Sequence, residues 1–390
     1  MALDQEDLPL IEQQELTEVV RAVLDRHTAV LTNCHVQPLH GGMGPVTHGT
    51  YRLSGTALDS GCELSWSVIL KIISLNVPGT HFMFEDEAHP LYWKREALAY
   101  GSGLLNNLPG GVTAPRCYRI TEQNSSTTWL WLEDVQDAHP AGWSLEQYAL
   151  AARCLGRFNG SYLAGLPMPT QPWLVSTGSP RGVIEYNAWL RDLIVGTSTW
   201  QHPFVRELFP VPVAARLFRL WDERDRLLRS IESAPQTFCH HDATRRNLFV
   251  QSAVAGTESL ALIDWAYPGF SAVGTDAADL FGASYNLPEL GDTPPRLLDR
   301  TIFHGYIEGL HEAGWQGDPL LVRLVFAAFS ALKCGLMLVW LRDLPDAARH
   351  PIWERMVDSS YESYAQRQAR MLYYLLDLAD EARTLLARMS

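Results

Sequence analysis

The sequence has little positive charge and almost no lysine. Its 390 residues carry a formal net charge of -13 at pH 7, and only three of the 31 basic residues are lysines. Nonspecific binding of nucleic acid needs a basic face, so this balance argues against a nucleic-acid partner. The chain uses arginine at almost every basic position and keeps lysine only at Lys71, Lys94 and Lys333.

Paired cysteines, a basic leader and an uncharged membrane span are also absent. The six cysteines form no C-x-x-C pair and no zinc spacing, which indicates free thiols in a reducing, cytoplasmic compartment. The N-terminal residues are acidic, so no signal peptide is expected. The apolar run from Leu320 to Leu341 contains Arg323 and Lys333. Charges at mid-membrane are costly, so we expect a buried helix here and no membrane partner.

The most informative stretch runs from Phe238 to Val250 and reads F-C-H-H-D-A-T-R-R-N-L-F-V. It places His240 two residues before Asp242, and Asn247 five residues after it. A second short apolar run, L-A-L-I-D-W, contains Asp264. An acid that accepts a proton, followed by an amide and a second acid that hold metal ions, is what phosphoryl transfer needs. An Asp-Asn pair in a turn is common by itself, so the interpretation depends on both runs together.

The pattern H-x-D-x-x-x-x-N followed by I-D-W resembles the aminoglycoside phosphotransferase and choline kinase family, which has the protein-kinase fold. The resemblance covers roughly residues 35 to 285. It implies an α+β, two-lobe architecture. We expect an N-terminal helix and a β-rich, ATP-binding lobe at 1–135, and a helical lobe with the catalytic loop and substrate site at 136–390.

The resemblance also implies ATP and Mg²⁺ as cofactors and assigns roles to residues. Asp242 would orient the substrate hydroxyl and accept its proton, and Asn247 and Asp264 would hold Mg²⁺. His240 would brace the loop. His241 departs from the family, where a glycine usually precedes the catalytic aspartate.

Two arginines in the same loop are a further departure from the family. Arg245 and Arg246 stand where relatives often have a proline and a small or acidic residue. Tyrosine kinases carry H-R-D-L-A-A-R-N, and Arg246 occupies the position of the last arginine in that pattern. By analogy Arg246 could neutralise the transferring phosphoryl group as a catalytic residue, and a structural ion pair is an equally open interpretation.

A glycine-rich turn precedes a strand-like run at Thr50 to Leu53. Glycines let backbone amides approach phosphate oxygens. Gly42 and Gly44 fit the pattern G-x-G-x-x-G, but Thr47 stands in place of the third glycine. We predict that this turn binds the nucleotide, with an ordinary hairpin as the alternative.

Lys71 lies inside the apolar, strand-like run Ser65 to Ile73. A compact ammonium on a partly buried strand suits phosphate contact better than a forked guanidinium. The alternative is an edge-strand lysine that extends to solvent. In kinase-like folds a helix glutamate pairs with this lysine, and Glu96 matches the family's position.

Two further N-lobe assignments rest on resemblance. Glu85 and Glu87 are the other candidates for the partner of Lys71, and a solvated helix face is the open alternative for Glu96. The strand-like run at 127–135 resembles the family's linker strand. Backbone groups near Glu133 to Val135 would meet the adenine edge.

Helical spacing and caps predict most of the remaining elements. Ser144-Leu-Glu-Gln147 is a capping-box pattern at the start of the second lobe. The helices that we expect are Glu15–Asp25, Val183–Ile194, Val213–Ile231, Pro295–Gly314, Asp318–Leu341 and Pro351–Met389.

The acceptor is expected to be a small-molecule alcohol, such as an antibiotic, a sugar or an amino alcohol. Residues 143 to 233 carry eight acidic and ten basic residues, which does not favour a polycationic aminoglycoside. The segment Leu166 to Pro212, with the helices after Asp276, is predicted to form the site for a partly apolar acceptor, with packing in the core as the alternative for its aromatic residues. Its candidate residues are Trp173, Glu185, Trp189, Asp192, Trp200 and Phe204.

Two other classes of function remain open. A nucleotide-binding pseudokinase that acts as an interaction module is weakly favoured by the incomplete glycine pattern. A protein kinase is disfavoured because I-D-W stands in place of D-F-G and no A-P-E follows it.

Overall fold

The computed structural model of the protein describes residues 10–39, 46–75, 82–175, 181–182, 191–193, 196–209, 213–254, 257–284, 290–291, 293–333, 338, 340–344, 346–357 and 359–389. The chain divides into two compact units. The first comprises Met1–Asn107, Thr113–Gln136 and Ile263–Ala266. The second comprises Leu108–Val112, Asp137–Leu262 and Tyr267–Ser390.

The first unit is built on an antiparallel sheet of five strands in the order β1-β2-β3-β6-β5. Its strands are β1 Val30–Pro38, β2 Thr47–Asp59, β3 Cys62–Ser74, β5 Cys117–Asn124 and β6 Thr127–Glu133. The helices are α1 Gln13–Leu24 and α2 Arg95–Gly101, with a 3₁₀ turn at Phe82–Glu85.

Side-chain alternation on β3 gives this sheet one apolar face. Val68, Leu70 and Ile72 are at most 1% exposed, and α1 packs apolar side chains into the same core cluster: Leu16, Val19 and Val20. Full burial of such a side chain contributes about 1.5–3 kcal/mol. Because successive side chains of a strand point to opposite faces, Lys71 lies on the other face of the sheet.

The second unit contains short strands and most of the helices. Its strands are β4 Val112–Thr113, β7 Gln236–Cys239, β8 Leu248–Val254, β9 Thr257–Leu262 and β10 Gly269–Ala272. They pair as two small sheets, one in the order β4-β9-β8 and one of β10 with β7.

The helices of the second unit begin with α3 Leu145–Leu163, whose capping box at Ser144 and Gln147 forms as predicted. The others are α4 Thr197–Gln201, α5 Pro203–Leu208, α6 Val213–Glu232, α7 Thr275–Ser284, α8 Pro295–Glu312, α9 Pro319–Leu332, α10 Trp340–Asp343, α11 His350–Val357 and α12 Tyr361–Met389. Helices α3 and α8 approach so closely that a Cβ at Gly309 would lie 2.0 Å from the Arg153 carbonyl oxygen.

Two helices are shorter than their periodicity predicts. The expected helix Pro351–Met389 is two helices, because Ser360 begins α12 by accepting a hydrogen bond from the Ser363 amide through its hydroxyl. A serine at a helix start competes with the backbone in this way. Likewise, α9 ends at Leu332, short of the expected Leu341. Among the described residues, no helix has both the length and the apolar character that crossing a membrane requires.

Candidate active site

Lys71 is a buried ammonium in the middle of the five-stranded sheet. It pairs with Thr50 of β2 on one side and with Leu130 of β6 on the other. Its side chain is only 8% exposed, so it does not extend to solvent as an edge-strand lysine would. A charge in such a place needs partners of opposite sign.

Two carboxylates supply those partners. The Lys71 Nζ atom lies 2.6 Å from Glu96 Oε2 and 2.7 Å from Asp264 Oδ1. Glu96 is in the first turn of α2 and is almost fully buried. Among the described residues, Glu96 rather than Glu85 or Glu87 is therefore the helix partner of Lys71. We call Lys71, Glu96 and Asp264 the ionic cluster.

Burial and charge oppose each other within the ionic cluster. Burial raises the pKa of Glu96, the Lys71 ammonium lowers it, and Asp264 raises it again. For Lys71, burial alone lowers the pKa, but Asp264 and Glu96 raise it above its usual value. Lys71 therefore stays positively charged despite its burial.

Asp264 follows β9 closely and has an unusual backbone conformation. Its φ angle is 61°, in the left-handed region that aspartate adopts more readily than most residues other than glycine. The side chain is one-third exposed. The carboxylate thus contacts Lys71 and also faces solvent.

The predicted catalytic loop, residues 240 to 247, connects β7 to β8 in the second unit. Within this loop, the predicted base Asp242 and the predicted metal ligand Asn247 are hydrogen-bonded to each other. The Asn247 side-chain nitrogen donates to Asp242 Oδ2 at 2.8 Å and to the Asp242 carbonyl at 3.0 Å. The Asp242 amide donates to His240 Nδ1 at 3.3 Å, which agrees with a bracing role for His240.

Asp276, at the start of α7, anchors the backbone of the catalytic loop by hydrogen bonds. One of its oxygens accepts from the His240 amide and from Asn159 Nδ2, and the other accepts from the His241 amide, all at 3.1 Å. Burial, and next the nearby Asp279, raise the pKa of Asp276 to about 6, while these hydrogen bonds lower it. His241, with φ of 65°, is part of the same tightly held turn.

The sequence analysis missed this anchoring role of Asp276. The partners of Asp276 are backbone amides that lie 36 and 35 residues away in the chain. Any residue except proline can supply a backbone N–H group, so no pattern of side chains in the sequence predicts the contact. The second buried ion pair, between Asp279 and Lys333, was also missed, because its two residues lie 54 positions apart in the chain.

Arg246 is the exposed residue of the catalytic loop. No ion pair or hydrogen bond of its side chain is formed within the described part of the chain. The alternative interpretation, a structural ion pair, therefore finds no partner there.

Glu133 and Val135 lie at the end of β6 and just beyond it. The Glu133 amide donates to the Arg116 carbonyl at 2.8 Å, and its carboxylate accepts from the Arg116 amide at 3.0 Å. Val135 is half-buried. The next residue of the segment, Asp134, is fixed by a two-pronged contact with Arg52. The first two residues of the linker segment, Glu133 and Asp134, are thus each anchored to the sheet.

Some predicted site residues lie outside the described residues: Gly42, Gly44, Glu185 and Trp189. Among the aromatic candidates for the acceptor site, Trp173 is buried. Trp200 meets Phe209 edge-on at 6.0 Å, and Phe204 meets Trp340 at 6.2 Å. Such edge-on packing is typical of core aromatics, and also of the rigid wall of a pocket.

Asn247 and Asp264 each offer a donor that suits Mg²⁺. The Asn247 nitrogen is bonded to Asp242, which leaves its amide oxygen to accept. Carboxylate and amide oxygens are hard ligands, and Mg²⁺ binds through few of them because it keeps several waters. No group of three or more His, Cys, Asp or Glu side chains arranged to hold a metal occurs in the described ranges. Taken by itself, each of the two residues offers a hard oxygen donor of the kind that Mg²⁺ accepts.

Two solved structures are similar to this chain over nearly its whole length. The first is the crystal structure of spectinomycin phosphotransferase APH(9)-Ia in complex with ADP and spectinomycin. It has 14% identity and a TM-score of 0.51, with 94% of this chain and 99% of that chain covered. The second is amicoumacin kinase hAmiN in complex with AMP-PNP, Ca²⁺ and Ami, with 10% identity, a TM-score of 0.53, and coverage of 93% and 95%. Likeness at these identities establishes the fold.

No curated protein matches the sequence significantly. The sequence profile of the phosphotransferase enzyme family (APH), however, matches residues 102–317. That span is more than half of the chain and contains the catalytic loop and Asp264. The expected α+β, kinase-like fold and the expected family are both confirmed, and the chain belongs to the phosphotransferase enzyme family.

Proposed function

We propose that the protein is an ATP-dependent kinase that phosphorylates a hydroxyl group of a small molecule. The observation that carries this proposal is the buried Lys71 ammonium between Glu96 and Asp264. An ammonium on a central strand, oriented by a helix carboxylate, is the arrangement that binds nucleotide phosphates in kinase-like enzymes.

Asp242 acts as the base in the proposed reaction. The acceptor oxygen forms a bond to the γ-phosphorus of ATP while the bond to the leaving ADP oxygen breaks, and Asp242 takes the hydroxyl proton. The Asn247 amide, 2.8 Å from the Asp242 carboxylate, orients that carboxylate. Arg246, which is exposed beside it, neutralises charge on the transferring group.

Asn247 and Asp264 are the proposed Mg²⁺ ligands. When bound, Mg²⁺ supplies positive charge to the phosphate oxygens. Asp264 has a left-handed backbone and a carboxylate that is one-third exposed, so part of the carboxylate is open to a cation. Glu133 to Val135 offer backbone groups to the adenine edge, and Gly42 and Gly44 offer amides to the phosphates.

The proposed acceptor is an alcohol that is not a polycation. The segment 143–233 has more basic than acidic residues, so it lacks the acidic excess that attracts an aminoglycoside. The aromatic residues Trp173, Trp200 and Phe204 support a partly apolar acceptor, such as a weakly charged antibiotic, a sugar or an amino alcohol.

Acceptor-dependent release of ADP tests the proposed function. The protein is incubated with Mg²⁺ and ATP against a panel of sugars, choline-like alcohols and antibiotics. We expect ADP release with one class of acceptor and none with Asp242→Asn. Binding of ATP without turnover on any acceptor would favour the pseudokinase, and turnover only on protein substrates would favour a protein kinase.

The metal assignment has its own test. The affinity for ATP is measured with and without Mg²⁺ for the wild type and for Asp264→Ala. We expect Mg²⁺ to increase the affinity of the wild type and to have little effect on the variant. An equal effect of Mg²⁺ on both proteins would exclude Asp264 as a ligand.

A further inference from the structure

Arg245, the neighbour of the exposed Arg246, is held on several sides within the second unit. Its Nη2 atom donates to Asp137 Oδ2 at 2.9 Å, and its Nη1 atom donates to the Leu248 carbonyl at 3.1 Å. The guanidinium carbon lies 3.9 Å from the ring centroid of Trp143. One side chain is therefore fixed by an ion pair, a backbone carbonyl and a stacked ring.

The residues that hold Arg245 are themselves fixed. Asp137 Oδ1 accepts from the His139 amide at 3.1 Å, and Asp137 Oδ2 accepts from Trp143 Nε1 at 3.0 Å. Trp143 is 2% exposed and packs edge-on against Tyr148. Asp137 and Trp143 thus form a buried site that binds the guanidinium group of Arg245.

The contacts of Arg245 with this site restrain a very short turn. The 3₁₀ turn Arg245–Asn247 contains the first arginine at one end and the proposed metal ligand at the other. Because the Arg245 side chain also bonds the carbonyl of Leu248, it ties the start of the turn to the residue just after its end. Asn247 lies between these two fixed points, and its side chain in turn holds Asp242.

We propose that Arg245 is a positioning residue, which fixes Asn247 and, through it, the Asp242 carboxylate. This inference rests on the proposed function for the roles of Asn247 and Asp242. Arg245 itself does not touch the nucleotide or the acceptor. The ion pair of Arg245 with Asp137 and its stacking on Trp143 stiffen the turn through a side chain instead of through the backbone. We call these two contacts, with the hydrogen bond to Leu248, the clamp.

The clamp requires arginine rather than any cation. A planar guanidinium can stack on Trp143 while its fork bonds Asp137 and Leu248 in directions within the same plane. The ammonium of a lysine is a point charge without a flat face. Arg245→Lys should therefore behave like Arg245→Ala and not like the wild type.

Proline at the same position separates positioning from chemistry. Arg245 is the first residue of its turn, where proline is well tolerated because its φ is already set for a helical turn. Thr244 has φ -82° and ψ 154°, the extended conformation that a residue before proline prefers. Arg245→Pro removes the cation but restores stiffness to the turn.

Arg323→Ala is the matched control. Arg323 is also a mostly buried arginine, paired with Asp299 and Glu381 and packed over the rings of Phe303 and Phe326. Its loss should lower stability as the loss of Arg245 does, but among the described residues its side chain forms no hydrogen bond or ion pair with the catalytic loop. It reports what a comparable structural loss does to binding.

The test measures Mn²⁺ affinity in the presence of AMP-PNP, together with amide hydrogen exchange of residues 242–250. We expect Arg245→Ala and Arg245→Lys to bind Mn²⁺ about 10-fold more weakly or worse, as for other residues that orient a ligand, and to exchange faster in the loop. Arg245→Pro should recover most of both properties, and Arg323→Ala should keep wild-type values of both.

Two results would overturn the positioning role. One is wild-type Mn²⁺ affinity and loop exchange in Arg245→Ala. The other is an Arg245→Pro variant with a protected loop but affinity as low as that of Arg245→Ala, since the cation itself would then act on the ligand. If the wild type binds neither nucleotide nor Mn²⁺, the proposed function fails. The positioning role is then tested by amide hydrogen exchange alone, and equal exchange of residues 242–250 in the wild type and in Arg245→Ala would exclude it.

Discussion

The ionic cluster of the first unit and the catalytic loop of the second are held in different ways. Lys71, Glu96 and Asp264 come from three distant segments and meet only through charged side chains. Asp242 and Asn247 lie within one short loop and are held by hydrogen bonds to amides, with Asp276 anchoring the backbone. The first arrangement depends on charge balance, and the second depends on hydrogen-bond geometry.

This difference predicts how each region fails. Removing one member of a buried ion pair leaves an uncompensated charge, which destabilises a protein by about 3–5 kcal/mol. Removing one acceptor from a hydrogen-bonded loop leaves a buried donor without a partner, at about 1–3 kcal/mol. The ionic cluster should thus be sensitive to pH, and the loop should be sensitive to substitutions that conserve shape but change acceptors into donors.

The largest expected effect is on turnover, at Asp242. Asp242→Asn removes the proposed base but keeps an oxygen that can accept from Asn247, so the loop should keep its fold. We expect phosphoryl transfer to fall about 10²–10⁴-fold, the usual contribution of a positioned acid or base, with ATP affinity unchanged. Steady-state kinetics and nucleotide titration measure the two quantities, and full turnover in the variant would remove Asp242 from the mechanism.

The next largest effect is expected on stability, at Lys71. Lys71→Met keeps the length of the side chain but leaves Glu96 buried beside Asp264, and we expect a loss of about 3–5 kcal/mol at pH 8. Burial already raises the pKa of Glu96 to about 7 in the presence of Lys71. Without the ammonium that opposes this shift, the pKa of Glu96 should rise further.

The pH dependence of Lys71→Met follows from the sign of that shift. The folded variant keeps a proton on Glu96 that the unfolded chain releases above its model value of 4.5, so its stability falls as pH rises through the raised folded pKa. Urea unfolding at pH 5 and pH 8 should show a larger loss at pH 8. Equal losses at the two pH values would mean that Glu96 is charged in the variant, contrary to the balance described for the ionic cluster.

A smaller loss is expected when the anchor of the loop changes at constant shape. Asp276 accepts hydrogen bonds from three donors, and in Asp276→Asn one oxygen becomes a donor that faces another donor. We expect unfolding to become easier by about 1–3 kcal/mol. Denaturant titration measures the change.

Asp318→Asn is the matched control for Asp276→Asn. Asp318 caps α9 by accepting from the Leu320 amide at an exposed site, and asparagine caps a helix about as well as aspartate. Its stability should not change measurably. Equal stabilities of the two variants would show that Asp276 is not an anchor.

The two regions also differ in how well a sequence reveals them. Lys71 could be predicted because a lysine interrupts an apolar run in a chain with two other lysines. Glu96 could be predicted because it matches the position of the helix glutamate in the family that the sequence resembles. Asp242 and Asn247 could be predicted because the pattern H-x-D-x-x-x-x-N, followed by I-D-W, resembles that family's catalytic centre. Asp276 could not, because it bonds backbone amides, and these carry no residue signature.

Helix boundaries show the same limit. Ser144 and Gln147 cap α3 through a local pattern, and the structure contains that cap. The break before α12 depends on Ser360, which interrupts a helical periodicity that continues on both sides. A periodic pattern records which face is buried, and it does not record where the backbone changes direction.

The smallest expected effect is at Arg246, and it distinguishes the two arginines of the loop. Arg246 is exposed and has no ion pair or hydrogen bond to its side chain in the described portion of the structure, whereas Arg245 is clamped. Arg246→Ala should therefore change the free energy of unfolding by less than about 0.5 kcal/mol, as exposed substitutions usually do. A charge about 4 Å from a phosphoryl group in a water-like medium contributes about 1 kcal/mol, so turnover should fall about fivefold.

Measuring turnover and denaturant unfolding on the same sample of Arg246→Ala separates a catalytic role from a structural one. An unchanged turnover number would remove Arg246 from the catalytic residues, and a stability loss as large as that of Arg245→Ala would assign it to the structure of the loop.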